Sequence, residues 1–101
     1  MTQGERETAV ETMKLFHRQR LRIRTVAVSF AAAVSSARHD FDVSGAERDA
    51  MIEVWRAWSL GQLDRYGSEL DQLEVDHAGF DKTLATLRIQ LAESIATVRA
   101  A

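Results

Sequence analysis

The sequence predicts an all-α protein, and three of its features support that prediction. The 101 residues include no proline, the residue that most often interrupts helices and shapes turns. Apolar residues recur at alternating steps of three and four through both halves of the chain, which is the spacing of one helix face. Between the halves, Ser44-Gly45-Ala46-Glu47 is a capping-box sequence that marks the start of a second helix.

The first half predicts helix 1 over about residues 5–39, with a heptad seam along one face. The seam consists of Ala9, Met13, Phe16, Arg20, Ile23, Ala27, Phe30, Val34, Ala37 and Phe41. Arg20 is its one polar member. Because a buried charge at a seam position usually fixes register or partner choice, we predict that Arg20 is a specificity residue meeting Asp64 or Glu69.

The second half predicts a tight turn at 40–44 and helix 2 over about 46–100, with a possible break near 76–79. Its seam consists of Leu63, Tyr66, Leu70, Leu73, His77, Phe80, Leu84, Leu87, Leu91, Ser94 and Val98. Met51, Trp55 and Trp58 have the same spacing but are one residue out of phase. Local over- or underwinding near Gly61 would absorb that skip, so both tryptophans are predicted to pack against helix 1.

If helix 2 folds back against helix 1 as an antiparallel pair, one apolar stripe of helix 2 is left without a partner. Helix 1 is too short to cover the C-terminal part of helix 2, so another chain must cover that part or the chain must break and fold back. The exposed stripe would then be the partner or oligomer interface, formed by Leu84, Leu87, Leu91, Ile95 and Val98. We therefore predict a long antiparallel helical hairpin with coiled-coil-like heptads that self-associates into a helical bundle, with a three-helix bundle as the alternative.

Composition limits the classes of function. With no cysteine, disulfides, thiolate zinc sites and cysteine nucleophiles are excluded, which fits a reducing compartment. The longest stretch without charge, residues 25–37, is shorter than the ~20 residues that span a membrane. We therefore predict a cytoplasmic protein that does not contact membranes.

The sequence contains no motif that predicts catalysis or cofactor binding. Asp40-Phe41-Asp42-Val43-Ser44-Gly45 resembles the opening of an EF-hand loop, but the position of the bidentate glutamate is occupied by Met51. The expected role of this segment is a capped helix turn, with a calcium-responsive hairpin as a third possibility. We predict no enzyme activity, no metal and no cofactor.

Two functions follow from these patterns. The first is a non-enzymatic helical protein–protein interaction module, an adaptor, small chaperone or regulator, acting as a homodimer or larger homo-oligomer or through a partner helix. The alternative is a regulator that contacts nucleic acid. Lys14, Arg18 and Arg22 are spaced four residues apart and would form the basic contact face on helix 1.

Overall fold

The computed structural model describes residues 2–101 and contains three helices: α1 (Gln3–Arg38), α2 (Gly45–Asp76) and α3 (Asp81–Ala100). No strand is present in that range. The all-α prediction is confirmed. The helices form a bundle with extents of 62 × 19 × 16 Å, which is a rod rather than a sphere.

Side-chain caps set where α1 and α2 begin. The Thr2 hydroxyl accepts a hydrogen bond from the Glu5 amide at 3.1 Å. At α2, the Ser44 hydroxyl accepts from the Glu47 amide at 3.1 Å, and the Glu47 carboxylate accepts from the Ser44 amide at 3.2 Å. This reciprocal pair is the predicted capping box, and it satisfies amide groups that the helix leaves without partners.

The chain reverses direction a second time between α2 and α3. Helix α2 ends at Asp76, and Gly79 adopts a φ of 93°, which L-residues other than glycine rarely tolerate. The predicted continuous helix over 46–100 is therefore not formed, and the arrangement is the three-helix bundle that the sequence left as its alternative. Spacing could not distinguish the two because residues 80–98 keep the heptad phase of residues 63–77 on both sides of the break.

Helix α3 packs on both other helices, parallel to α1 and antiparallel to α2. The Phe16 and Phe80 rings lie 5.2 Å apart near the start of α3. Arg88 binds two carboxylates of α2, Asp71 at 2.8 Å and Glu74 at 2.6 Å. The hydrogen bond to Asp71, together with that to Glu74, raises the pKa of the Arg88 guanidinium above its ordinary value.

The predicted interface stripe lies in the core of its own chain. Leu84, Leu87, Leu91 and Val98 are buried, and Ile95 packs against them. Because α3 folds back, these side chains cover the α1–α2 hairpin and present no apolar stripe to a partner. The core side chains of the other helices include Phe16, Ile23, Val26, Phe30, Val34, Ala37, Ile52, Leu63 and Leu70.

The first turns of α1 extend beyond the packed part of the rod. Residues 3–8 are all exposed, whereas Thr12 and Phe16 are buried. The loop at 77–80 contributes the nearest groups, and the Thr12 hydroxyl lies 3.5 Å from Nδ1 of His77.

Replacing Leu87 by alanine is expected to lower the free energy of unfolding by about 2–5 kcal/mol, because the side chain fills the core. Ile89 is the matched control, since it is 59% exposed on the same helix and its alanine variant should lose less than ~1 kcal/mol. Urea unfolding at protein concentrations of 1 and 100 µM measures both losses. Equal losses for the two variants would contradict the folded-back α3.

Candidate functional site: the α1–α2 face

The inner positions of α2 follow one heptad without a skip. They are Ile52, Arg56, Ser59, Leu63, Tyr66, Leu70 and Leu73, with steps of four and three throughout. The predicted change of phase near Gly61 does not occur. The prediction assigned the inner positions by hydrophobicity, whereas the helix places Arg56 and the fully buried Ser59 inside.

As a result, the tryptophans lie on the outer surface, and the prediction that they are packed inside is wrong. Trp55 is 41% exposed and Trp58 is 49% exposed. Their rings meet edge to face with centroids 5.8 Å apart. Met51 and Val54 are exposed beside them, and we refer to these four residues, Met51, Val54, Trp55 and Trp58, as the tryptophan patch.

The patch lies on the flank of α2 that borders α1. On that flank, Glu69 accepts a hydrogen bond from Gln19 of α1 at 2.8 Å and forms an ion pair with Arg22 at 3.6 Å. Trp55 stands fourteen residues before Glu69, a separation that returns a helix to nearly the same side. A groove between the helices is lined by Leu15 and residues near Glu69, so the patch continues one α1–α2 face along the rod.

Charge divides the α1–α2 face into two halves. Near the turn at 39–44, residues 25–37 carry no charge. Residues 50–63 carry only Glu53 and Arg56, which form an ion pair at 3.2 Å. In the other half, residues 12–24 of α1 are basic without any acid, and residues 64–76 of α2 carry five acids and one arginine. Two of those acids, Asp71 and Glu74, are bound by Arg88 on the α3 side of α2.

Arg20 does not occupy the seam that the sequence predicted for it. Its side chain is exposed, and its guanidinium lies 3.1 Å from Nδ1 of His17. The buried polar residue is its neighbour Gln19, which donates to the Tyr66 carbonyl at 3.3 Å and to Glu69. Because α1 packs between two helices, its buried face is broader than a single seam and includes position 19.

The cation that does occupy an inner position is Arg56, which the sequence analysis missed. Only 18% of its side chain is exposed, and its guanidinium lies 5.9 Å from the Phe30 ring centre. It donates to the carbonyls of Val98 at 3.0 Å and Ala101 at 2.9 Å, which secures the end of α3. Extending the Leu63 heptad backwards without a skip would have identified this position.

The predicted basic stripe is on the surface, and two of its three members have acidic partners. Lys14 pairs with Glu11 at 3.0 Å, and Arg22 pairs with Glu69. Arg18 forms no ion pair within residues 2–101 and borders the groove between α1 and α2. The stripe is therefore one edge of the α1–α2 face, with partly neutralised charge.

The turn uses its polar groups to hold itself together. The Asp40 carboxylate accepts from the Asp42 amide at 3.0 Å, and Arg48 donates to the Asp40 and Val43 carbonyls. Across residues 2–101, no three or more histidine or acidic side chains are grouped as metal ligands. No helix in the same range is long and apolar enough to cross a membrane.

Comparison of the chain with models of known families, with curated proteins and with solved structures finds no match.

Replacing Trp58 by alanine is expected to cost only about 1–2 kcal/mol of unfolding free energy, because the ring is half exposed and the loss scales with buried area. Leu63, with no exposed surface, is the control, and its alanine variant should lose about 2–5 kcal/mol. Urea unfolding at low micromolar concentration provides both values. A loss at Trp58 equal to or above that at Leu63 would show that the tryptophan belongs to the core.

Proposed function

We propose that the chain is a non-enzymatic helical protein–protein interaction module whose working surface is the tryptophan patch. The observation that carries this proposal is the contiguous exposure of Met51, Val54, Trp55 and Trp58 on one flank of α2. Single exposed apolar residues are common on protein surfaces, but contiguous apolar patches usually mark binding sites. Tryptophan is also among the residues that most often dominate binding energy.

The sequence around the patch keeps charge away from it. The only two charged residues between Ala50 and Leu63 neutralise each other, so nothing on the outer surface there repels an apolar partner. The fold itself does not need large side chains at these positions, since its inner seam runs through Ser59 and Leu63. The aromatic area is therefore available for binding.

The spacing of the patch suits a helical partner. Its members stand at positions i, i+3, i+4 and i+7 of α2, which is the spacing by which one helix packs against another. A groove between α1 and α2, lined in part by Leu15 and Leu73, lies further along the same face. We propose that the patch packs against a helix, either from a second copy or from another protein, and that the chain acts as an adaptor, small chaperone or regulator.

The setting proposed for this activity is the cytoplasm, which the absence of cysteine supports. The histidines each have a local partner that fits a structural role: His17 meets Arg20, His39 meets the Ser35 carbonyl and His77 meets Thr12. Thr12 and His77 are the one hydroxyl–imidazole pair among these three, and the Thr12 hydroxyl donates its hydrogen to the Thr8 carbonyl at 3.0 Å. That proton is therefore not directed at the imidazole, which supports a structural role for the pair.

Val54→Lys tests the proposed surface. Val54 is 70% exposed, so the lysine should leave the fold intact while placing a charge in the patch. Ile89→Lys, a change at a position on α3 that is 59% exposed, is the control. We expect the mass in solution, or the specific protein retrieved by the tagged chain from its native cells, to depend on Val54 and not on Ile89. If both variants keep the wild-type mass in solution and still retrieve the same protein, the proposal is contradicted.

A second candidate function is nucleic-acid contact through α1. It is favoured by one observation: Lys14, Arg18, Arg20, Arg22, Arg24 and Arg38 stand between Glu11 and Asp40 with no acid among them. Under this candidate, a 20-base-pair duplex binds at 50 mM salt, and Arg18→Gln with Arg24→Gln weakens binding and reduces its salt dependence. Under the leading proposal, fluorescence anisotropy shows no binding at 150 mM salt.

A further inference from the structure

We propose that the occupant of the α1–α2 face is a second copy of the chain, and that the two copies stack these faces in parallel about a twofold axis along the rod. This inference rests on the proposed function and specifies its partner. In this arrangement α1 of each copy lies over α2 of the other, and both turns at 39–44 lie at the same end. The contact is isologous and closes on itself as a dimer.

Side-chain size supports this alignment. Within one chain, α1 and α2 are antiparallel, and positions at the same level sum to between 85 and 89, as for Gln19 with Tyr66 and Thr12 with His77. In a parallel stack the same levels meet across the interface. Trp58 then lies at the level of Ser29, Val54 at that of Ala32 and Met51 at that of Ser36. Each of these three side chains is opposite a small residue.

Charge supports the parallel arrangement over the antiparallel one. With the copies parallel, Arg18 of α1 comes to the level of Glu69 in the partner's α2, an acid that lies on the flank of α2 bordering α1. With the copies antiparallel, α1 would lie over α1 and α2 over α2. Most of the charged half of each face would then lie over the uncharged half of the other, so the basic residues of α1 would lose their acidic partners.

The size of the face suits a stable dimer. Helix α2 has 32 residues, so it extends for about 48 Å, and two neighbouring helices form a face roughly 15 Å wide. The face therefore offers on the order of 700 Å² per copy, close to the ~800 Å² that each partner contributes to a standard interface.

Gly61 supplies an independent observation. It lies inside α2, where glycine destabilises a helix relative to alanine. Apart from the adjacent backbone of α2 and the two neighbouring residues, no described atom lies within 4 Å of the position its Cβ would take. Packing within the chain therefore does not require glycine there. The open space beside Trp58 allows α1 of a second copy to approach closely.

Sedimentation equilibrium from 1 to 200 µM tests the dimer. We expect a concentration-dependent rise towards twice the 11.3 kDa mass of the chain. Val54→Lys should raise the dissociation constant at least tenfold, while Ile89→Lys should leave it within twofold. Arg18→Glu should also weaken the dimer, because it removes the attraction to the acidic part of α2. Mass is the suitable readout because a single rod already has a radius of gyration of 17.4 Å.

Single cysteines test the orientation, which the cysteine-free chain makes straightforward. Ser36→Cys places a thiol on the exposed side of α1 near the turn, and a parallel dimer brings two such thiols to the same end of the rod. A short bis-maleimide should therefore join them. Thr97→Cys, exposed on α3 away from the face, is the control and should not be joined.

The outcomes separate this inference from the proposed function. A dimer joined at Ser36→Cys and weakened by Val54→Lys supports the parallel stack. A dimer joined only at Thr97→Cys, or one indifferent to Val54→Lys, overturns the stack although the chain self-associates. A monomer at every concentration overturns it as well, and Val54-dependent retrieval of a different protein would then leave the proposed function standing with another partner.

Discussion

The arrangement of this protein depends on one constraint, the uninterrupted heptad of α2. Keeping that phase from Leu63 back to Ile52 places Arg56 and Ser59 inside the bundle. Arg56 is tolerated there because its aliphatic stem packs in the bundle while its guanidinium meets the Phe30 ring and the last carbonyls of α3. Among residues 2–101, the buried Ser59 hydroxyl has no hydrogen-bond partner. The same phase places Trp55 and Trp58 outside, which creates the surface on which the proposals depend.

The start of α2 was predictable because it depends on local chemistry, and the capping box located it within one residue. Apolar spacing also identified Ile23 and Leu63 as inner residues, and both are buried. The inner face near the turn was not predictable from hydrophobicity, which favours tryptophan over arginine inside. Burial of Arg56 depends on the end of α3 lying close enough to accept its hydrogen bonds, and that contact is tertiary.

The C-terminal stripe shows why spacing alone cannot distinguish folding from association. Leu87 and Leu91 have the same heptad positions whether α3 covers its own hairpin or belongs to a longer helix that binds another chain. The conformation of Gly79 decides between the two. Self-association is consequently proposed for the tryptophan patch and not for the C-terminal stripe. The sequence analysis had assigned the tryptophans to the interior.

The unsupported start of α1 gives the rod a gradient of local stability. Residues 3–8 have little tertiary packing, and a short helix without such packing is only marginally stable in water. Their amide hydrogens should exchange with solvent through local fraying, whereas those near Ile23 should exchange only when the whole bundle opens. A partner that bound these first turns could therefore slow their exchange without changing the shape of the bundle.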